Sequence, residues 1–429
     1  MTAMAPEQTA GIAAGRPQPQ TTVEAPGGPF IRHTQEGRRL MYSLTGQAYG
    51  GVINQPMVAS PGYNRGYRIL IGSTPGVYTA GAFTAASAPA ADFPPGIVNL
   101  IQCRDAYGTV LFTGPGYEIL GLVPMLSGQF GMLDGNELQQ NLPSFANGIT
   151  TTAFGWQWAT SLPFEFAKAM GVISGANASL LPTLQVNFNT LASIYGTVST
   201  ASTLAFQVEA DFYWLPQGVV VVPPGIGTTC QWIYQPCSPP VSANSATLVQ
   251  APRLGGYLTT LIADARDVNN LRQSIWPAPA AATGGSGGLP GGRFRLYVDG
   301  VPLQDTDITT LVDDIDIQTG IGQPGTAGST AVAGSAGTRL INAANQAGAA
   351  GSFSMQGVMA WSRKTGLAQR ATGLLETGEA FLSTNPGTQI EFAGQPWNPA
   401  PGGTGPYTVA VIAGQVVPSG VLIQGLPEV

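Results

Sequence analysis

Trp156-Gln157-Trp158, then Leu184-Gln185-Val186-Asn187-Phe188, then Leu204 to Trp214: this stretch decides the fold, because the chain reads as carrying its outline twice. The first copy opens on Gly155 to Trp158, passes a helix-like segment, Leu162 to Ile173, and reaches the two strand-like runs. The second opens on Gly357-Val358-Met359-Ala360-Trp361 and passes a helix-like Leu367 to Leu375. Its runs are Thr388-Gln389-Ile390-Glu391-Phe392 and Tyr407 to Val417. Pro182 to Phe188 lies over Pro386 to Phe392 without a gap, an offset of 392 − 188 = 204 residues in a chain of 429. A period of about 20–50 residues makes a solenoid; one this long means two copies of a domain.

The rest of the chain has β texture. Tyr67 to Ile71, Ile97 to Gln102 and Val110 to Phe112 are short apolar runs between turn residues, which suit strands buried in a sandwich. Glu118 to Val123 reads as another strand, and Val219 to Val222 with Pro223-Pro224-Gly225 leads into a Pro-rich passage ending at Pro240. Leu204 to Trp214 alternates, with Phe206, Val208 and Ala210 on one side and Gln207, Glu209 and Asp211 on the other. That is the pattern of a half-exposed antiparallel strand. Phe164, Ala167 and Met170 give a helical stripe. The second half begins with Cys230 to Tyr234, or after the prolines at Ala246 to Gln250; Gly256 to Ile262 and Arg293 to Val298 read as further strands, the last running into an Asp299-Gly300 turn. Asp105 to Gly108 is the parallel turn of the first half. Arg339 to Ala350 reads as a short helix, and 125–147, 277–292 and 320–337 as long loops.

These signals divide the chain into a flexible arm, 1–29, a first β domain, 30–225, a Pro-rich connector, 226–240, and a second β domain, 241–429. Strands in this number close into sandwiches or barrels. Charged residues are only 9% of the chain, against about 25% in ordinary globular proteins. So few charges leave much of the surface suited to burial against other subunits; a surface of Thr, Ser, Asn and Gln, as in secreted proteins, is the plainer account. The net charge is −6 with no basic run, which excludes direct sequence-specific nucleic-acid binding of the usual electrostatic kind. No apolar run reaches the roughly 18 residues of a membrane span. The N-terminus lacks a signal-peptide pattern.

The search for chemistry returns no catalytic, cofactor or metal residues. His33 is the single histidine and lies in a polar stretch, where a solvated side chain is expected. The spacing of Cys230 and Cys237 permits a bridge across a Pro-rich turn, but free thiols are the preferred reading; three cysteines make no disulfide framework. Asp305, Asp307, Asp313, Asp314 and Asp316 are the densest acidic group, without the spacing of a calcium loop, and read as a solvated strand edge. Glu118, Glu165 and Glu209 are scattered, so no carboxylate pair is indicated. Gly284 to Gly288 lacks the Lys of a phosphate loop. Trp156, Trp158, Tyr213 and Trp214 sit in apolar strands and read as core or subunit interface rather than a stacking platform.

The order and spacing of the elements carry a resemblance. They are Asp92-Phe93-Pro94-Pro95 leading to Asn99 to Gln102, Tyr117 to Val123, Trp156 to Trp158 with Leu162 to Ala169, and Leu184 to Phe188. In the second half they are Asn385-Pro386-Gly387 to Phe392 and Tyr407 to Val417. In that order the chain resembles the double jelly-roll major capsid proteins of tailless, membrane-containing bacteriophages of the tectivirus type. The resemblance implies an all-β fold of two tandem eight-stranded jelly rolls with short inserted helices and long loops. It implies a homotrimer forming a pseudo-hexagonal capsomer, contacts with neighbouring capsomers and with penton and other minor capsid proteins, and no enzymatic activity. It places the protein in an icosahedral virion over an internal membrane, with the arm at 1–29 near lipid and assembly in the host cytoplasm. The competing readings are a secreted or cell-surface β-sandwich protein that binds or hydrolyses carbohydrate, and a minor vertex or spike protein of a virion.

Overall fold

The computed structural model describes residues 28–76, 95–105, 108–124, 154–165, 169–175, 181–195, 203–216, 221–223, 228–241, 247–250, 256–266, 293–307, 358–362, 382–383, 390–394 and 407–418. After a short helix, α1 (Gly28–His33), come β1 (Gln35–Gln47), β2 (Val52–Pro56), β3 (Tyr63–Gly76), β4 (Val98–Arg104) and β5 (Val110–Gly114). Then come β6 (Phe154–Pro163), β7 (Ile173–Ser174), β8 (Thr183–Phe188), α2 (Leu191–Tyr195) and β9 (Leu204–Trp214). The second half supplies β10 (Thr228–Val241), β11 (Thr247–Gln250), β12 (Tyr257–Arg266), β13 (Arg293–Val298) and β14 (Val301–Asp307). It ends with β15 (Val358–Ser362), β16 (Leu382–Ser383), β17 (Ile390–Gly394) and β18 (Tyr407–Pro418).

The strand order proves the duplication. One sheet of the first half runs β1-β9-β3-β6, with β7 on β3; the other runs β5-β4-β8-β2. Adding nine to every strand number gives β10-β18-β12-β15 with β16 on β12, and β14-β13-β17-β11, which are the sheets of the second half. In both halves the first strand lies beside the last and the pairs are antiparallel. Each half is therefore an eight-stranded jelly roll with one extra two-residue strand. The expected overlay of 182–188 on 386–392 puts β8 on β17, which occupy the same place in their sheets.

Local sequence explains the elements that were read correctly. β9 buries Phe206, Val208 and Ala210 and turns Gln207, Glu209 and Asp211 outward, as its alternation requires. β4 and β5 are joined by the 105–108 turn, closed by Gly108 N–H on the Asp105 carbonyl at 3.1 Å and by Thr109 N–H on the Asp105 carboxylate at 2.8 Å. β13 and β14 meet at Asp299 and Gly300, with φ of 50° and 76°. Two successive positive φ angles match the twist of the flanking strands, and Asp-Gly tolerates them.

Several expectations fail. No helix spans Leu162 to Ile173: Leu162 and Pro163 close β6, and Ile173 opens β7. Between them the Phe164 and Glu165 N–H groups both donate to the Arg65 carbonyl, and Ala169 stands at φ 57°, so the backbone serves β3 instead of a helical ladder. The run at 118–123 is not a strand but a π-helix, Tyr117–Leu122, buried on every side. Short apolar runs carry no period by which a buried helix and a buried strand differ. The connector expected at 226–240 is mostly β10, the first strand of the second roll; Pro239 and Pro240 sit where its register to β18 breaks, between Cys237 and Val241, so they withhold no ladder bond. Gly28 and Pro29 belong to α1 rather than to the arm. A bridge from Cys230 to Cys237 is ruled out, since both lie on β10, about 23 Å apart along an extended strand. The helices at 367–375 and 339–350 and the loops at 125–147, 277–292 and 320–337 fall outside the described residues.

Candidate functional site

The residues weighed for chemistry do not converge. His33 is exposed at the end of α1. Among the described residues no three or more His, Cys, Asp or Glu side chains form a group that could hold a metal ion. Asp305 lies on β14 and pairs with Arg295 at 3.2 Å; Asp313, Asp314 and Asp316, like Gly284 to Gly288, are outside the described residues. Trp158 and Tyr213 are core residues, while Trp214 is exposed; Trp156 is placed in β6. Cys103 and Cys230 are buried free thiols. The three glutamates engage different partners, Glu118 with Arg266, Glu165 with Arg65 and Glu209 with Arg38 and Gln207, and two of them hold the architecture together.

Glu165 is one. Arg65 Nε donates to its Oε2 at 2.6 Å, while Tyr213 Oη at 3.0 Å and the Ala169 N–H at 2.6 Å donate to its Oε1. Arg65 also stacks over the Tyr213 ring at 4.6 Å and reaches Glu36 at 3.1 Å. Burial, and then the Glu165 carboxylate, pushes the Tyr213 phenol above its ordinary range. Phe30 of α1 packs edge-on against Tyr63 and Tyr213 at 5.6 and 5.5 Å, so α1 is plugged into this end of the first roll.

Glu118 is the other, at the seam between the rolls. It sits on the π-helix of the first half, fully buried, and takes Arg266 Nη2 of β12 at 2.7 Å. Arg266 Nε also donates to Asp264 at 2.8 Å, and its guanidinium lies 5.3 Å from the Tyr117 ring centroid. One guanidinium serving two buried carboxylates ties the halves with charge-assisted bonds. The signal for this was in the sequence: a carboxylate inside Tyr117-Glu118-Ile119-Leu120 must be paired if that run is buried. The sequence does not say with what.

Beside the cluster the sheets of the two rolls join. β5 and β10 run parallel, with Phe112 opposite Trp232 and Thr113 opposite Ile233. Gln231 Nε2 donates to the Val110 carbonyl at 2.5 Å, and the Cys230 N–H to the Phe164 carbonyl at 3.2 Å. Gly114 makes the approach possible, because a Cβ there would stand 2.6 Å from Tyr234 Cβ. One buried hydrophobic cluster runs through both rolls.

No family model matches the sequence, and no curated protein matches it. Solved structures do resemble the fold. The crystal structure of the STIV MCP aligns over 92% of this chain and 100% of its own, with TM-score 0.52 and 11% identity. A chain in the atomic structure of Sulfolobus Turreted Icosahedral Virus aligns over 92% and 94%, with TM-score 0.53 and 13% identity. The major capsid protein P2 from bacteriophage PM2 aligns over 90% and 99%, with TM-score 0.45 and 9% identity. Strand order and seam define this chain as a double jelly roll, two rolls of one topology joined edge to edge. It has the fold of the viral major capsid proteins that the turreted icosahedral virus structures represent.

Proposed function

We propose that this chain is the major capsid protein of an icosahedral virion, acting as a structural subunit. The observation that carries the reading is the repeated eight-stranded roll, joined rigidly to its copy through a buried seam. Two like rolls in one chain let three chains fill a six-sided tile, and closed point-group symmetry favours such a ring. The partners on this reading are two further copies of the chain, neighbouring capsomers, and penton and other minor capsid proteins. The low charge content suits a surface largely buried in assembly. The arm that precedes α1 contacts an internal lipid membrane in the same reading, and assembly takes place in the host cytoplasm. A native mass measurement on the purified chain tests it. The expected species is three times the 44.2 kDa chain mass, and images of infected-cell lysates labelled with an antibody to the chain should show it on particle surfaces. A 44.2 kDa monomer at every concentration and ionic strength would sink the reading.

A further inference from the structure

We propose that the segment following β18 closes the end of the second roll that α1 and the segment following β9 close in the first: Val421-Leu422-Ile423 packs against Tyr257 of the same chain. The inference rests on the duplication and stands apart from the capsid reading.

Strand register fixes the equivalence of the two rolls at this end, residue by residue. In the first roll Tyr63 opens β3 opposite Tyr213, Asn64 stands opposite Phe212, and a bulge follows before Gly66 meets Asp211. In the second roll Tyr257 opens β12 opposite Val416, Leu258 stands opposite Gln415, and a bulge follows before Thr260 meets Gly414. The two-residue strands repeat the match: Ser174 pairs with Tyr63, and Ser383 with Tyr257. A Cβ on Gly62 would collide with the Tyr213 carbonyl oxygen, and a Cβ on Gly256 with that of Val416. Gly62-Tyr63 and Gly256-Tyr257 are therefore one device used twice, 257 − 63 = 194 residues apart.

The two tyrosines differ in burial. Tyr63 is half-buried: with Ile31, Leu215 and Val221 it packs against a small core of Phe30, Ala169, Val172 and Tyr213. Tyr257 has 52% of its surface exposed. At the 194-residue offset Phe30 falls on Pro224, so the sequence supplies no second aromatic plug there. What the sequence does repeat is the exit from the last strand. Pro216-Gln217-Gly218 and then Val219-Val220-Val221 lead away from β9; Pro418-Ser419-Gly420 and then Val421-Leu422-Ile423 lead away from β18, 418 − 216 = 202 residues later. Pro and Gly at that spacing make a turn, which sends the chain back over the end of the sheet. Val417 is half-buried, as its counterpart Leu215 is. Ile423 then takes the place of Val221, and Leu422 and Ile423 are each a methylene larger than Val220 and Val221, in the roll that lacks the phenylalanine. Residues 419–429 lie outside the described residues. They carry Val421, Leu422, Ile423, Leu426 and Val429 against one charge, Glu428, a composition that gains by leaving water. The half-exposed Tyr257 ring stands opposite Val416, two residues before Pro418 begins the turn.

Cysteine pairing in the full chain tests the contact, because a disulfide forms only where two Cα atoms come within about 7 Å. The pairs are Tyr257→Cys with Leu422→Cys and Tyr257→Cys with Ile423→Cys. Mild oxidation should remove two thiols from at least one pair while the chain still migrates as a monomer on a non-reducing denaturing gel. Tyr257→Cys alone should lose none, since Cys103 and Cys230 are buried. Neither should Leu422→Cys combined with Val301→Cys, which puts the other thiol at an exposed position on β14. Intact thiols in both pairs would overturn the proposal. So would disulfide-linked dimers, which would mean that the segment packs on another copy. Chymotrypsin gives a second measurement, with intact mass as the readout. Tyr257→Ser should speed cleavage at Leu422 and Leu426 about tenfold, as the loss of a docking contact does for a segment that opens locally, with an unchanged circular dichroism spectrum. Equal cleavage of variant and wild type removes the proposal. The capsid reading is decided by the native mass and is untouched by any of these outcomes.

Discussion

Arg266 shows how a few charges in a charge-poor chain are placed. It sits between Glu118 and Asp264, both fully buried. Removing one partner of a buried ion pair costs about 3–5 kcal/mol, because the remaining charge stays desolvated. Arg266→Met keeps the apolar stem, removes the guanidinium and leaves both carboxylates without it. Its expected effect is a loss of that size in denaturant unfolding. Adding Glu118→Gln to Arg266→Met should recover part of it, since one buried charge is then gone. No recovery would mean the two side chains act independently. At this scale the sequence was half legible. Glu118 was read only as one of three scattered glutamates; its place in an apolar run was the available signal, but its partner lies 148 residues away, and nothing local to either residue points to the other.

At the scale of elements, legibility followed the water. β9 could be read because one of its faces is wet and the other dry, so its pattern has a period. The π-helix could not, because it is dry all round. β1 lies in a stretch of general β texture but was not delimited, for the opposite reason: Met41 is the one buried residue along it, so its sequence shows no alternation. The β13–β14 hairpin was read from two residues, and it is open to test. Gly300→Val places a β-branched residue at φ 76°, where an L-residue costs about 1–2 kcal/mol. A drop of that order in stability is expected, while Gly300→Asn, which tolerates the left-handed region, should be close to neutral. Equal effects of the two would indicate that the turn does not require this conformation. A different prediction belongs to the sheet formed by β1, β3 and β9. It holds Tyr42, Tyr63, Tyr67 and Tyr213, and burial pushes each phenol above its ordinary value of 10.0. The folded form therefore keeps these protons after the unfolded chain has begun to lose them. The stabilisation is complete below pH 10 and declines as the pH rises beyond it. Melting temperatures measured from pH 8 to 11.5 should fall steeply above pH 10, and the part of the 295 nm tyrosinate absorbance that is lost when Tyr42, Tyr63, Tyr67 and Tyr213 are replaced by Phe should rise together with unfolding.

The whole molecule is legible as a duplication and opaque at its seam. A weak overlay of seven residues located equivalent strands in two rolls, because a repeated fold keeps the register of its turns and buried faces even when identity is low. The joint has no such signature: β5 and β10 are short or proline-containing, and their contact depends on distance in space. That joint governs the last prediction. Two rolls linked by a loop would unfold separately, as independent domains do. Here β5 is covered on both faces, the hydrophobic cluster is continuous, and Arg266 crosses from one roll to the other. Unfolding the second roll would expose Leu111 and Phe112 and strand Glu118 without its guanidinium, at a cost of several kcal/mol to the first. Calorimetry on the wild-type chain should therefore show one transition, whose calorimetric and van't Hoff enthalpies agree. Gly114→Leu drives a bulky side chain into Tyr234, whose Cβ would lie 2.6 Å from the new Cβ, and should split that peak in two by prising the seam open. Two peaks in wild type would show that the rolls are coupled by the chain alone, and the rigid seam on which the assembly argument stands would be lost.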